Sequence, residues 1–289
     1  MYSLKHTDHL KRLSYFTTDG YRIAYVDEGN GPVILLLHGV PTSSWLYRKM
    51  IPLLSAQGYR VIAPDMLGYG GSDKPAVLEK YTPENLGMLI LNLMDYLNIP
   101  NWTHVFHDGG GLWTWAMLTH DASKVNNLIM LNTIVYQSGF KPPLKMEEGF
   151  LARQFTRFYC SPIGQRIVIN STFKNGISNK DVINGEMLKG YKAAFKDKFS
   201  TALYYFFTRT CDVITDYSAL HRSLTIPVNV IWGRYDDMLV WDNIEQEMKE
   251  NFKDNLQGVH LLEAKHFIQE EKPEEIVDII VDVLSSQSI

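Results

Sequence analysis

Two hydrophobic patterns alternate along most of the chain and predict strands and helices in turn. The stretches RLSYFTT and YRIAYVDEG flank the turn dipeptide Asp19–Gly20, which predicts an antiparallel hairpin. Continuous apolar runs such as PVILLLHG and YRVIAPD then predict buried strands. Longer stretches predict helices, among them SSWLYRKMIPLLSAQG and TPENLGMLILNLMDYLNIP, the latter with Thr82 as N-cap and Pro83 at its first position. The alternation predicts an α/β protein with a mostly parallel, twisted sheet and helices on both faces.

The alternation stops between about Ile134 and Leu224, where the pattern is mostly helical and rich in Tyr and Phe. It resumes with PVNVIWGRYD, GVHLLEA and the closing helix KPEEIVDIIVDVLSS. We therefore predict one core domain made of residues 1–133 and 225–289. Residues 134–224 are predicted to form an inserted helical cap over the carboxyl edge of the sheet, where open α/β sheets bind their ligands.

Composition and charge narrow the classes of partner. A net charge of −4 without a basic stripe argues against nucleic acid. The apolar run PVILLLHGV is far too short to span a membrane, and the N-terminus lacks the apolar segment of a signal peptide. Two cysteines, Cys160 and Cys211, fit a reducing compartment. We expect a cytoplasmic protein without a nucleic-acid or membrane partner, and its oligomeric state stays open.

One aspartate stands between an apolar run and three glycines in the stretch THVFHDGGGLWTW. A strand, a tight glycine-rich turn with one polar residue, and a helix describe a nucleophile elbow, with Asp108 at its exposed tip. The helix N-terminus would keep this carboxylate ionised. The alternative is that Asp108 merely caps a helix, since Asp is a favoured N-cap.

Two further residues complete a catalytic order. Asp236 follows the strand NVIWG, and His266 follows the next strand, GVHLLEA. Nucleophile, acid and histidine is the chain order of an α/β-hydrolase triad, although the adjacent Asp237 is an alternative acid. The loop HGVP would supply one oxyanion-hole N–H from Val40, with Gly109 supplying the other, unless this loop is an ordinary turn.

A family resemblance rests on these motifs. HGVPTSSWLYRKMIPLLSAQGYRVIAPDMLGYGGSDKP is similar to the corresponding stretch of haloalkane dehalogenases and epoxide hydrolases, and VFHDGGG resembles their elbow. Phe106 departs from the Gly that serine esterases usually carry, as it does in some dehalogenases. The resemblance covers residues 12–133 and 225–288 and implies an α/β-hydrolase fold with Asp108 as nucleophile, His266 as base and Asp236 as its partner. Asn132 occupies the place where one dehalogenase branch carries its acid, which favours Asp236.

A carboxylate nucleophile restricts the reaction. Attack on an ester carbonyl would give an unfavourable mixed anhydride, whereas attack on a saturated carbon gives a stable alkyl ester that His266 can hydrolyse with water. Carboxylesterase activity is thereby disfavoured. Epoxide hydrolysis and haloalkane dehalogenation stay open, both on a small apolar electrophilic substrate.

The leaving group decides between these two reactions. Dehalogenases typically bind the halide with a Trp directly after the nucleophile and with a second donor, either a cap Trp or an Asn in the HG-x-P loop. This chain has Gly109 at the first of these places and the apolar Val40 at the loop position. Trp113 is expected to pack within its helix, and all six tryptophans lie outside the predicted cap. Epoxide hydrolases of this group commonly use cap tyrosines as acids. This favours epoxide hydrolysis. The predicted cap contains Tyr136, Tyr159, Tyr191, Tyr204, Tyr205 and Tyr217, of which Tyr159 and Tyr205 are the candidate acids. His38, in the core, is a candidate substrate contact.

No His/Cys/Asp cluster has the spacing of a metal site, and the glycine-rich stretch GYGGS precedes no Lys that opens a helix, as a nucleotide-binding loop would. We therefore predict neither a metal nor another cofactor. A rival interpretation is a non-catalytic ligand-binding member of the fold, whose mark would be a broken triad. All three members of the triad are present in this sequence.

Overall fold

The computed structural model describes residues 5–195 and 200–286. One eight-stranded sheet has the order β1-β2-β4-β3-β5-β6-β7-β8. Its strands are β1 (Leu13–Thr18), β2 (Tyr21–Glu28), β3 (Val33–Leu37), β4 (Arg60–Pro64), β5 (Trp102–Asp108), β6 (Val125–Thr133), β7 (Val228–Gly233) and β8 (Leu256–Leu262). β2 runs antiparallel to β1 and β4, and all other neighbours are parallel. The prediction of a mostly parallel sheet is confirmed.

The N-terminal hairpin is also confirmed. Asp19 and Gly20 form its turn with φ angles of 51° and 78°. Two consecutive left-handed residues match the right-handed twist of the flanking strands, and Asp and Gly adopt that conformation at low cost.

Helices cover the sheet and fill the long connection between β6 and β7. They are α1 (His6–Leu10), α2 (Met50–Ala56), α3 (Pro83–Tyr96), α4 (Gly110–His120), α5 (Phe150–Cys160), α6 (Pro162–Gly176), α7 (Gly185–Ala193), α8 (Thr201–Tyr205), α9 (Ser218–Ser223), α10 (Glu245–Phe252), α11 (Ile268–Glu271) and α12 (Pro273–Ser286). Thr82 caps α3 as predicted, because its side chain accepts a hydrogen bond from the Asn85 N–H at 3.3 Å.

The single helix predicted for SSWLYRKMIPLLSAQG is wrong. A 3₁₀ turn over Ser44–Tyr47 precedes α2, which begins only at Met50. Pro52 explains the break: it is tolerated in the first turn of α2 but would lack a donor and clash inside a continuous helix. The Asp65 carboxylate also accepts a hydrogen bond from the Ser44 N–H at 2.7 Å and holds the turn apart from α2.

The centre of the molecule is the junction of β5 and α4. All seven residues of β5 are buried, and so is every residue of α4 from Gly110 to Leu118. This burial explains why α4 is apolar on all sides from Gly110 to Leu118, except at Thr114. A charged residue between them, Asp108, is therefore held in a rigid and largely dry environment.

Helices α5–α9 form the helical segment between β6 and β7. Within residues 134–195 and 200–224 the structure has no strand, and residues 196–199 lie outside the described residues. The segment packs on the loop after β8, where Phe173 stacks on Phe267 with ring centroids 4.3 Å apart. The domain boundaries at 133/134 and 224/225 stay a prediction. No described helix combines the length and apolar character needed to cross a membrane.

Candidate active site

Asp108 occupies a strained turn at the end of β5. Its φ angle is 51°, in the left-handed region that non-glycine residues rarely adopt. Close approach of the neighbouring backbone requires glycine on both sides. A Cβ on Gly39 would lie 2.4 Å from Asp108 Oδ1, and one on Gly111 would lie 2.4 Å from the Ile134 carbonyl oxygen. Such strain is characteristic of functional positions.

The two predicted oxyanion donors both meet Asp108. The Val40 N–H donates to Asp108 Oδ1 at 2.6 Å. The backbone N–H of Gly109 also stabilises the charged carboxylate. Oδ1 is thus held by the backbone, and Oδ2 is the oxygen that faces His266.

His266 connects two carboxylates. Its Nδ1 donates to Asp236 Oδ2 at 2.8 Å, and its Nε2 lies 3.5 Å from Asp108 Oδ2. Asp236 is fixed in turn, because its Oδ1 accepts hydrogen bonds from the N–H groups of Met238 and Leu239 at 2.9 and 3.1 Å. The alternative acid, Asp237, is a mostly exposed partner of Lys265 at 2.6 Å. The geometry therefore places Asp236, and not Asp237, against the imidazole.

Sequence reasoning missed part of the support for this triad. Asn132 was noted only as an amide, but its Nδ2 donates to Asp236 Oδ2 at 2.8 Å and its Oδ1 accepts from the Gly233 N–H at 2.7 Å. His107 was overlooked altogether. Its Nε2 donates to the carbonyl oxygen of His266 at 3.0 Å. This hydrogen bond joins the end of β5 to residues 263–267, the loop after β8 that carries His266 and is called the histidine loop below. A polar residue just before Asp108 in an otherwise buried strand was the signal for it.

The loop that carries His266 is also fastened to the helical segment. The Phe267 N–H donates to the Gly176 carbonyl at 3.0 Å. Glu271 accepts from the Lys265 N–H through Oε1 at 2.9 Å, and from the Ser178 and Asn179 N–H groups through Oε2 at 2.9 and 2.8 Å. One carboxylate thus joins the histidine loop to the end of α6.

Electrostatics keep the triad charged at neutral pH. Burial opposes protonation of His266, but the neighbouring carboxylates of Asp236 and Asp108 outweigh it and raise its pKa from 6.5 to about 10. Burial likewise opposes ionisation of Asp108 and Asp236, yet the charge and proximity of His266 hold the pKa of both carboxyls below the ordinary value. At pH 7 an imidazolium therefore lies between two carboxylates.

Asp108→Asn is expected to lower the pKa of His266, because it removes one of the two charges that raise it. An NMR titration of the imidazole measures this change, with Asp237→Asn as the control that leaves the pKa in place. The sign of the stability effect follows from the raised pKa: the contribution of the imidazolium is complete below pH 6.5 and lost as the pH rises through about 10. An unchanged His266 pKa in Asp108→Asn would show that the two side chains are not coupled.

A mostly apolar cavity of about 490 Å³ opens above the triad. Asp108, Asp236 and His266 lie on its core side, together with Val40, Pro41 and Phe267. The helical segment contributes Phe155, Tyr159, Leu203, Phe206 and Phe207 to the lining, with Ser171, Thr172 and Asn175 farther along. A volume of this size fits a small molecule whose reacting atom is placed by few polar groups.

Of the three residues predicted to contact substrate, only Tyr159 lines this cavity. Its hydroxyl makes no hydrogen bond to residues 5–195 or 200–286. Burial raises its pKa, so that the hydroxyl keeps its proton at neutral pH. Tyr159 is therefore a phenol available to a ligand.

The structure corrects the prediction for Tyr205. This side chain lines a separate small cavity with Tyr69 and Trp113, and the Arg209 guanidinium lies 5.6 Å from its ring centroid. Its neighbours Phe206 and Phe207 line the main cavity instead. The direction of side chains in this short helix depends on packing against other elements, which the sequence does not specify.

The prediction for His38 is corrected as well. The side chain is fully buried, and its Nε2 accepts a hydrogen bond from the Met66 N–H at 2.9 Å. Nδ1 therefore carries the proton and donates to the Gly39 carbonyl at 2.8 Å. Both ring nitrogens stabilise the loop around Val40, and the imidazole does not line the cavity.

Three other tyrosines of the helical segment use their hydroxyls within the protein. Tyr191 donates to Glu270 Oε1 at 2.6 Å, Tyr204 accepts from the Gly149 N–H at 2.9 Å, and Tyr136 accepts from Asn251 Nδ2 at 3.0 Å. In the parts of the chain that the structure describes, no tryptophan lines the main cavity and no group of His, Cys, Asp or Glu side chains is arranged to hold a metal.

Comparison with known proteins gives the family. A family model described as alpha/beta hydrolase fold matches residues 32–273. The chain belongs to this family. In this α/β-hydrolase, Asp108 ends β5, Asp236 follows β7 and His266 follows β8.

Two curated relatives of this α/β-hydrolase carry different names. It is 27% identical over 302 residues to bifunctional epoxide hydrolase 2 of Rattus norvegicus, covering 93% of this chain and 54% of the rat protein. It is 28% identical over 278 residues to a haloalkane dehalogenase of Mycobacterium marinum, covering 91% of this chain and 89% of the mycobacterial protein. The chain thus spans only about half the length of the rat relative.

Among solved structures, an epoxide hydrolase from Vigna radiata matches with a TM-score of 0.76 and 21% identity, covering 96% of this chain and 99% of that one. This likeness supports the α/β-hydrolase fold.

Proposed function

We propose that this protein is a hydrolase in which Asp108 attacks a saturated carbon and forms a covalent alkyl ester. The observation that carries the proposal is the different environment of its two carboxylate oxygens. Oδ1 is held by the Val40 N–H at 2.6 Å, whereas Oδ2 lies beside His266 in the apolar cavity. Oδ2 is then the attacking oxygen, and Oδ1 becomes the carbonyl oxygen of the ester.

Hydrolysis of this ester uses the other members of the triad. Alkylation removes the charge of Asp108, which lowers the pKa of His266, so that the imidazolium releases its Nε2 proton to solvent and Nε2 can then accept a proton. Neutral His266 takes a proton from water while the water oxygen bonds to the Asp108 carboxyl carbon. The charge that develops on Oδ1 is stabilised by the Val40 and Gly109 N–H groups. Collapse of this intermediate breaks the bond between the Asp108 carboxyl carbon and Oδ2. Oδ2 leaves with the alkyl group as the alcohol and takes the proton from His266.

An epoxide is the substrate class that the cavity supports best. Opening an epoxide produces an alkoxide that needs a proton, and Tyr159 offers an otherwise unused phenol in the cavity. The names of the rat and Vigna radiata relatives support the same class. We further propose that residues 134–224 act as a cap that keeps bulk water from the triad, and that the protein works in the cytoplasm.

Trapping the ester tests the proposal. His266→Gln is expected to form the ester but to hydrolyse it slowly, because no base remains to activate water. Intact-mass spectrometry after incubation with aryl epoxides and brominated alkanes measures the adduct. An epoxide adds its whole mass, whereas a bromoalkane adds its alkyl group in place of one hydrogen and releases bromide. The adduct mass therefore also distinguishes the haloalkane dehalogenase alternative, which is supported by the Mycobacterium marinum relative.

The double variant Asp108→Asn/His266→Gln is the control and should gain no mass. Turnover by the native protein without any adduct in His266→Gln would contradict the covalent route. Binding without turnover in any variant would instead indicate a non-catalytic ligand-binding member of the fold.

Tyr159→Phe separates the two leaving groups. We expect about a 10²-fold fall in turnover of epoxides, because general-acid catalysis is lost, and little change for bromoalkanes, whose halide needs no proton. Steady-state rates of diol and bromide release measure the two reactions. Tyr205→Phe is the matched control, since this ring does not line the main cavity. Equal losses in Tyr159→Phe for both substrates would contradict its role as acid.

A further inference from the structure

Helices α5 and α6 present apolar side chains to solvent. Leu151 is 76% exposed, Ile163 68% and Ile167 56%. Phe150 and Phe158 are exposed as well. At 100° per residue, Phe150, Leu151 and Phe158 fall on one side of α5, away from the buried side formed by Ala152, Thr156, Tyr159 and Cys160. Exposed apolar side chains clustered in this way mark an interaction surface.

The same helices are basic. Residues 149–179 contain Arg153, Arg157, Arg166 and Lys174 but no Asp or Glu, although the whole chain has a net charge of −4. Arg157, Arg166 and Lys174 are exposed, and none of the three forms a salt bridge with any residue that the structure describes. The acidic neighbour Glu148 is paired with Arg209 at 2.7 Å. This face therefore combines apolar and cationic groups.

The cavity opens beside this face. Leu144 and Ile167 line the cavity and are also exposed to solvent. An open depression lined by Lys174, Lys180 and Asn175 adjoins it and shares Asn175 with the cavity lining. These side chains therefore lie where the cavity that contains Asp108 meets solvent.

We propose that the exposed face of α5 and α6 docks on the surface of a membrane that contains anionic lipids. Apolar side chains entering the headgroup region and cations beside anionic lipids are the two contributions that bind peripheral helices. A second copy of the chain fits less well, because a two-fold interface would place the same uncompensated cations against each other. The sequence predicts no membrane partner because its apolar runs are too short to span a bilayer. That length is a criterion for membrane-spanning helices and does not test for docking on a membrane surface.

The docking bears on the substrate class. On the function proposed above, the cavity would receive apolar electrophiles dissolved in the bilayer, and the diol product, which is more polar, would leave into water. The membrane contact itself depends only on the exposed side chains of α5 and α6, so that it can be measured without turnover.

Vesicle flotation tests the proposal with the 289-residue chain. We expect binding to vesicles of phosphatidylcholine with about 30% phosphatidylserine, much weaker binding to phosphatidylcholine alone, and release by high salt. Leu151→Ser/Ile163→Ser and Arg157→Gln/Arg166→Gln should each weaken partitioning about tenfold or more. Leu10→Ser, at an exposed position in α1, is the matched control and should bind like the native protein.

The outcomes are distinct. Failure to float with anionic vesicles, or unchanged flotation of both double variants, overturns the proposal. A dimer in light scattering that Leu151→Ser/Ile163→Ser dissociates also overturns it and assigns the face to self-association. Absence of an ester in His266→Gln would refute the proposed reaction but leave a positive flotation result intact.

Discussion

Asp108→Asn is expected to reduce turnover of every substrate by at least about 10⁴-fold, because loss of the nucleophile of a triad typically costs this much or more. Asparagine has nearly the same shape, and its amide oxygen can still accept the hydrogen bond that the Val40 N–H gives to Oδ1. The loss should therefore appear in kcat and not in the fold. Steady-state kinetics together with circular dichroism measure both.

Asp237→Asn is the matched control for this experiment. Asp237 also lines the cavity, but it is exposed and paired with Lys265 instead of His266. We expect its turnover to stay within a few-fold of the native value. If Asp108→Asn retained more than about a tenth of native turnover, the nucleophile would have to be another group.

Arg48→Met is expected to cost up to about 3–5 kcal/mol in the free energy of unfolding, because it removes the buried charge partner of Glu270. The carboxylate then keeps only the partly exposed Lys49 ammonium, at 3.2 Å. Arg48 Nη2 donates to Glu270 Oε2 at 2.8 Å, and both side chains are almost completely buried. Tyr191 also donates to Glu270, so that this pair connects α7 of the helical segment to the helix after His266. Urea denaturation measures the loss.

Arg60→Met is the control for burial. Arg60 makes a bidentate pair with Asp27 at 2.9 and 2.7 Å, but its side chain is 29% exposed and that of Asp27 25%. We expect it to cost only about 1 kcal/mol or less. Arg48→Met/Glu270→Gln should recover part of the loss, since no unpaired charge stays buried. Equal losses for Arg48→Met and Arg60→Met would show that burial does not set the cost.

The core of the fold was predictable because its signals are local. Buried strands such as β3 (VILLL) are continuous apolar runs, and Asp108, Asp236 and His266 each stand at or shortly after the end of a predicted strand. The carboxyl ends of neighbouring parallel strands meet at one edge, so the chain order alone indicated that the three side chains converge. The structure adds the distances.

The helical segment was much less predictable. Tyr159 and Tyr205 both stand in aromatic helices, but only packing against α6 and the core decides which ring faces the cavity. His38 follows a buried strand as the functional residues do, yet its partners are the backbone of Gly39 and Met66, which are contacts made by loop folding. His107 was missed because its partner, the carbonyl of His266, is distant in sequence.

The ties between Glu271, Gly176 and the histidine loop have a consequence for the timing of the reaction. Because Glu271 bonds to both the Lys265 N–H and the turn after α6, a swing of that turn would draw the imidazole out of line with the ester. A misplacement of about 1 Å is enough to slow a positioned step about 10²-fold. On the proposed mechanism, water would therefore be activated only while these Glu271 hydrogen bonds are intact, and an ester formed while they are broken would wait for them to re-form before it is hydrolysed.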